Sequence, residues 1–180
     1  MVTATLAPVV LVALLTGCSE EVEAVPELPE RICWDAFAAK DVSPLLPSGK
    51  EAEFIADSMH AFFPDSSSSV CSLQIDGAVR FDASGDRYDF ERDIDWTTWE
   101  KAKPDPIDVG EKGIIWHNGA ASYIVCEPSK GPNAPGRYIE LTLYAFDQPT
   151  QGTQAKKNHR LLGVLIKQFV AFAEKELKCG

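Results

Sequence analysis

The hydrophobic pattern of this chain changes period along its length, and the changes outline a fold. Cys71, Leu73 and Ile75 alternate with Val70, Ser72 and Gln74, the two-residue repeat of a half-buried strand. Gly77 suits a turn, residues 78–83 read as a second strand, and Ser84-Gly85-Asp86 reads as a turn into a third at 87–91. Residues 113–117 and 120–127 flank Asn118-Gly119, a pair that tolerates positive φ at both positions, so a type I′ hairpin is expected there. A loop rich in Pro and Gly at 128–136 precedes a strand over 137–146. From about 153 to 178 the period lengthens. Leu161, Leu162, Leu165, Ile166, Phe169, Val170, Ala173 and Leu177 make one stripe, so a long helix should lay that stripe on a sheet. Lys175 and Lys178 in its last turn suit the negative end of the helix dipole.

Before the first strand, residues 33–40 read as a short helix with Trp34 and Phe37 inward. Val42, Leu45 and Leu46 extend an apolar patch ended by Pro47. Residues 50–63 place Ile55, Met59 and Phe62 at helical spacing. Pro64 and the serine run 66–69 then form a loop, as does the proline-marked Lys103-Pro104-Asp105-Pro106. The sum is an α+β fold: short N-terminal helices, an antiparallel sheet of about five or six strands, and a long C-terminal helix packed on it.

Ahead of all this stands a different pattern. Residues 6–17 are an uncharged apolar run, too short for a comfortable transmembrane helix and the length of a signal-peptide core. It ends in Leu15-Thr16-Gly17-Cys18, which resembles the lipobox of bacterial lipoproteins. The resemblance implies cleavage before Cys18, a diacylglyceryl group on its thiol, and a cell-membrane anchor on the extracytoplasmic face. Two acyl chains hold stably where one does not, at roughly 0.8 kcal/mol per buried methylene. Residues 1–5 lack the Lys or Arg usual before such a core, which points to a start further upstream. Residues 19–31 carry five Glu and one Arg among prolines and read as a flexible acidic tether. The expected organisation is a signal peptide at 1–17, a lipidated Cys18 with its tether to 31, and one extracytoplasmic domain at 32–180.

Charge limits the partners. The net charge is −10 over 180 residues, although 153–178 alone is +4. An acidic domain lacks the basic footprint that nucleic acid requires, and an anionic lipid surface should repel it. The basic terminal helix reads as a solvated face.

Five cysteines are present, at 18, 33, 71, 126 and 179. With Cys18 lipidated, four remain in an exported and oxidising setting, which reads as two disulfides. No Cys-x-x-Cys spacing suggests zinc. Three pairings are open. Cys33–Cys71 with Cys126–Cys179 is favoured, because the first ties the domain start to its first strand and the second ties a central strand to the final helix. Each closes a long loop, worth on the order of 4 kcal/mol in the chain-entropy treatment.

The order of lipobox, acidic spacer, Cys33-Trp34-x-x-Phe37 opening, Cys71 on the first strand, Asp108-Val109-Gly110-Glu111-Lys112-Gly113 before a hairpin, and helical end resembles small actinobacterial, streptomycete-like lipoproteins of the DUF3558-type group. The resemblance could span 32–179. It implies a cell-surface lipoprotein of unassigned activity and carries over no functional residue.

Motifs for chemistry are sparse. His60, His117 and His159 lie in three separate elements, with no neighbour at metal-ligand spacing. The acidic run from Asp82 to Glu91 places Arg87 and Asp93 where a calcium loop needs Gly and Glu. No nucleophile elbow, P-loop or dinucleotide fingerprint occurs. No catalytic residue, metal or cofactor is expected. The four tryptophans stand out, and Trp96 and Trp99, flanking a loop, are the candidate binding surface. The expected function is therefore a non-enzymatic binding or interaction module at the cell envelope, for an envelope protein or an apolar small molecule. Two alternatives stand: an envelope hydrolase using paired carboxylates, and an accessory structural lipoprotein without a discrete site.

Overall fold

A computed structural model describes residues 24–55, 61–63, 67–91, 94–96, 103–126 and 136–179. The expected signal peptide at 1–17, Cys18, residues 19–23 of the expected tether, Met59, His60, Trp99 and most of the 128–136 loop lie outside the described residues.

The chain begins with a two-stranded pair, β1 (Arg31–Ile32) and β2 (Phe37–Ala38), followed by the single-turn helix α1 (Ala39–Val42) and a 3₁₀ turn, Ser43–Leu45. Seven strands then form one antiparallel sheet: β3 (Ala52–Phe54), β4 (Ser68–Ile75), β5 (Ala78–Tyr88), β6 (Asp105–Ile107), β7 (Lys112–Trp116), β8 (Gly119–Val125) and β9 (Tyr138–Ala145). Their order across the sheet is β3-β4-β5-β9-β8-β7-β6. The C-terminal helix α2 (Gly152–Leu177) lies on one face. The fold is α+β, as the periodicity implies.

The larger of two apolar clusters among the described residues lies between the sheet and α2. Cys71, Leu73 and Ile75 of β4, Phe81 and Ala83 of β5, and Ile139, Leu141 and Leu143 of β9 turn the same way and are buried. They meet Leu162, Leu165, Ile166, Phe169, Val170 and Ala173 of α2, the stripe read from the sequence. An amphipathic helix of this length is stabilised mainly by such burial, at about 25 cal/mol per Å² of apolar surface. Among the described residues no helix is long and apolar enough to cross a membrane.

Both edge strands were read otherwise in the sequence. Residues 52–54, part of the helix expected over 50–63, instead pair with β4. The N–H groups of Lys50 and Glu51 donate to the Asp76 carboxylate at 3.0 Å each, and Ile55 N–H donates to Ser72 O. These partners override local helical spacing. At the other edge β6 carries Pro106 inside the expected proline loop, and an edge strand tolerates a residue that cannot donate to the ladder.

Three further expectations need correction. The helix expected at 33–40 is a tight turn between β1 and β2, with Cys33, Trp34 and Asp35 all at positive φ (51°, 59° and 66°). Cys33 is held there by its bond to Cys71, and helix begins only at Ala39. The expected turn Ser84-Gly85-Asp86 is the middle of β5, paired on both sides with β4 and β9. Gly85 is there for space: an added Cβ would lie 2.8 Å from the ring of Phe62 and 3.1 Å from that of Phe63. Finally, residues 24–31 do not all behave as tether. Val25 and Leu28 pack against the core, and Gly49 N–H donates to Ala24 O at 3.1 Å.

The disulfides are Cys33–Cys71 and Cys126–Cys179, with Cα–Cα separations of 5.5 and 4.7 Å. Lys178 adopts a left-handed conformation (φ 56°) after α2, and Cys179 N–H donates back to Glu174 O. This terminal turn of the Schellman type brings Cys179 to the end of β8.

Candidate functional site

The hairpin of β7 and β8 builds one wall of the best candidate site. Trp116 pairs with Gly119, so the connecting residues are His117 and Asn118, not Asn118 and Gly119. Neither His117 nor Asn118 has positive φ, so the turn is not type I′. That geometry belongs to Asp76 (φ 51°) and Gly77 (φ 77°), which join β4 to β5. Gly119 serves another purpose. A Cβ on it would lie 2.3 Å from Trp116 Cζ2 and 2.7 Å from Leu143 O, so the indole can close over this strand only where there is no side chain.

The start of α2 forms the opposite wall. Asn158 is almost fully buried in its second turn. Its amide donates to Gln148 Oε1, and its carbonyl accepts from Gln154 Nε2 at 2.7 Å. Gln148 Nε2 donates in turn to Leu45 O and Phe146 O at 2.9 and 2.8 Å. An amide network of this kind, centred on a buried and satisfied Asn158, fixes where the helix begins.

Between these walls lies a cavity of about 460 Å³, lined by Lys103, Asp105, Trp116, His117, residues 150–152, Ala155, Lys156, His159 and Arg160. Three permanent cations therefore face one carboxylate, in a protein whose net charge is −10. Asp105 also approaches His159, whose Nε2 lies 3.3 Å from Asp105 Oδ2 and links β6 to α2. The N-cap residue, Gln151, makes no side-chain cap, and no acidic residue occupies the first turn of α2. Uncapped N–H groups at a helix start attract anions, and neighbouring cations add to the effect. The cavity is thus suited chemically to hold a negatively charged group.

His117 and His159 stand 42 residues apart in the sequence and are brought together here. In the sequence they lie in separate elements, and the basic residues of α2 read as a solvated face. The usable signal was a helix start rich in Lys and Arg but without Asp or Glu.

A larger groove of about 680 Å³ runs past Trp34 and Phe172, but its charges are mixed, Arg31 and Lys175 against Asp35, Asp41 and Glu176. It offers no electrostatic preference. Trp34 itself is partly buried, stacked on Phe169 at 6.1 Å.

The other sequence-predicted residues lie elsewhere. Trp96 is partly buried on the sheet face opposite α2, packed against Ile114, Trp116 and Ala121. Its ring is 5.9 Å from that of Tyr123, and Lys112 Nζ sits 4.3 Å over it. Trp96 packs on the domain rather than standing free of it, and Trp99 lies outside the described residues. Nearby, Tyr123 donates its hydroxyl to Glu91 Oε1 at 2.7 Å. That bond, then burial and the Glu91 and Glu111 charges, push the phenol up to about 12. Burial and the charge of Glu140 also raise Tyr144.

Two carboxylate residues are register partners on this second face, Asp86 of β5 and Glu140 of β9. Neither lines the cavity at the start of α2. Among the described residues no group of three His, Cys, Asp or Glu side chains is placed to hold a metal. No protein-family model matches the chain, and neither a curated protein nor a solved structure resembles it significantly.

Proposed function

We propose that the protein is an exported lipoprotein, anchored through Cys18, whose domain is a binding module for a small anionic group taken up at the start of α2. The observation that carries the binding reading is the convergence of Lys103, Lys156, Arg160, His117 and His159 on one cavity in an otherwise acidic protein. Charge-assisted hydrogen bonds from such donors are roughly twice as strong as neutral ones. The lipoprotein reading is supported by Leu15-Thr16-Gly17-Cys18 and by the cysteine pattern. The other four cysteines are engaged in disulfides, which suit an oxidising compartment and leave Cys18 as the odd one. The resemblance to small actinobacterial lipoproteins points the same way.

Native mass spectrometry on protein gently extracted from its own membrane tests both parts. The expected spectrum carries the lipid mass on Cys18 and a further mass, lost on denaturation and absent from a Lys156→Ala/Arg160→Ala variant. A Cys18 that is unmodified, with its leader retained, refutes the anchor. A lipidated chain with no retained mass, or one retained equally by the variant, refutes the site.

A further inference from the structure

The anionic group has a candidate source in the way the chain leaves the domain. Ala24 is held by Gly49, beside the point where the N–H groups of Lys50 and Glu51 cap the Asp76 carboxylate. The N-terminal segment therefore departs at the end of the sheet that carries the Asp76–Gly77 turn. In an antiparallel sheet the same end holds the finish of β9, the His117–Asn118 turn and the start of α2. The contacts agree, since Phe146 N–H donates to Arg80 O and Ala145 N–H to Asn118 O. The cationic cavity and the departing tether share one end of the domain.

Chain length then limits the distance. Six residue steps separate Cys18 from Ala24, a reach of at most about 20 Å when fully extended. The width of the sheet from β4 to β7, four strand spacings, is similar at roughly 19 Å. The far end of the sheet lies about 33 Å away along the eleven residues of β5. A lipid on Cys18 would hold the cavity's end nearest the bilayer.

We infer that the occupant of the cavity is the phosphate of an anionic glycerophospholipid headgroup in the membrane to which the protein is anchored. This inference rests on the lipoprotein reading and deepens the binding one. The cavity presents Lys103, Lys156 and Arg160 as cations against Asp105 alone, with Gly152 of the uncapped helix start on its lining. The acidic remainder of the domain opposes approach through solvent, where salt screens exposed charges beyond about 8 Å. Contact at the cavity is short-range and so less screened than contact between distant charges.

The test uses the full chain, with the mass at Cys18 measured first, reconstituted into vesicles of phosphatidylcholine alone or of phosphatidylcholine with phosphatidylglycerol. Amide hydrogen exchange is followed at 152–156. In the vesicles containing phosphatidylglycerol, exchange there should slow by on the order of tenfold, as one plus the ratio of ligand to Kd. Neutral vesicles should show no slowing, nor should Lys156→Ala/Arg160→Ala in the anionic ones. Equal exchange in both vesicle types overturns the inference. So does equal slowing by inorganic phosphate added to neutral vesicles, which would assign the cavity to a free anion. If Cys18 carries no lipid the anchor reading fails by itself, whereas a lipidated chain without slowing refutes only the headgroup assignment.

Discussion

Gly119 lies directly under the indole of Trp116, so close that a Cβ would come 2.3 Å from the ring. The two residues face each other across the first rung of the hairpin that walls the candidate site. Trp116 is nearly fully buried and Leu143 O closes the other side, so neither neighbour can yield cheaply. Gly119→Ala should cost about 1–3 kcal/mol, the usual range for overpacking. Asn118→Ala should change stability by less than about 0.5 kcal/mol, because Asn118 has no positive φ to lose. Urea titration of both variants checks the pair. The opposite ranking would restore the type I′ turn that the sequence suggests.

Asn158 and Gln148 hold the start of α2 against the loop after β9. Asn158→Ala removes the hydrogen bonds to Gln148 and Gln154, at about 0.5–1.5 kcal/mol for each bond. The helix start should loosen along with the global loss. Faster amide exchange at 152–158 than elsewhere in α2 is the expected result, and a uniform change along the helix would mean the network does not locate it.

The Cys126–Cys179 bond closes a loop of 53 residues. Replacing both cysteines by alanine should lower stability by on the order of 4 kcal/mol, if the unfolded chain is as free as the chain-entropy treatment assumes. The last turn of α2 should fray first, since Cys179 and the turn at Lys178 anchor it. Thermal unfolding gives the first quantity and exchange at 174–178 the second.

Tyr123 makes stability depend on alkaline pH. Its folded value, about 12, lies above the ordinary 10.0. At pH 11 the unfolded chain has released the phenolic proton and the folded chain has kept it, so raising the pH favours unfolding. The contribution is complete below pH 10 and disappears as pH rises through 12. Tyr123→Phe should flatten the melting temperature across this window and lower it at neutral pH, through loss of the bond to Glu91. A wild-type and variant pair with parallel pH profiles would contradict the assignment.

Much of the fold was legible in the chain. The stripe from Leu162 to Ala173 and the alternation from Cys71 to Ile75 are single-face patterns, and each face is the one that is buried. Short elements were not legible. Three residues of β3 or β6 carry too little periodicity to identify, and they are strands because a neighbour supplies the ladder. Glycine misled in two places for one reason. At 85 and 119 it makes room for aromatic rings from distant residues, Phe62, Phe63 and Trp116, while the turn geometry went to Asp76-Gly77. The candidate site shared this difficulty. His117, Lys103 and Arg160 lie on different elements, and nothing local marks them as neighbours.

By itself, the sequence determined what depends on short-range periodicity and composition: the class of fold, the long helix and its buried face, and an even set of cysteines beyond Cys18. Only the tertiary structure decided which residues meet. It carried β5 straight through Ser84-Gly85-Asp86, packed Trp96 onto the sheet, and gathered the cations of α2 with Lys103 and His117 around one cavity. The physical reason is separation along the chain. A repeat of two or 3.6 residues records which face is buried, but contacts between residues tens of positions apart are set by how the sheet orders its strands and where the helix crosses them.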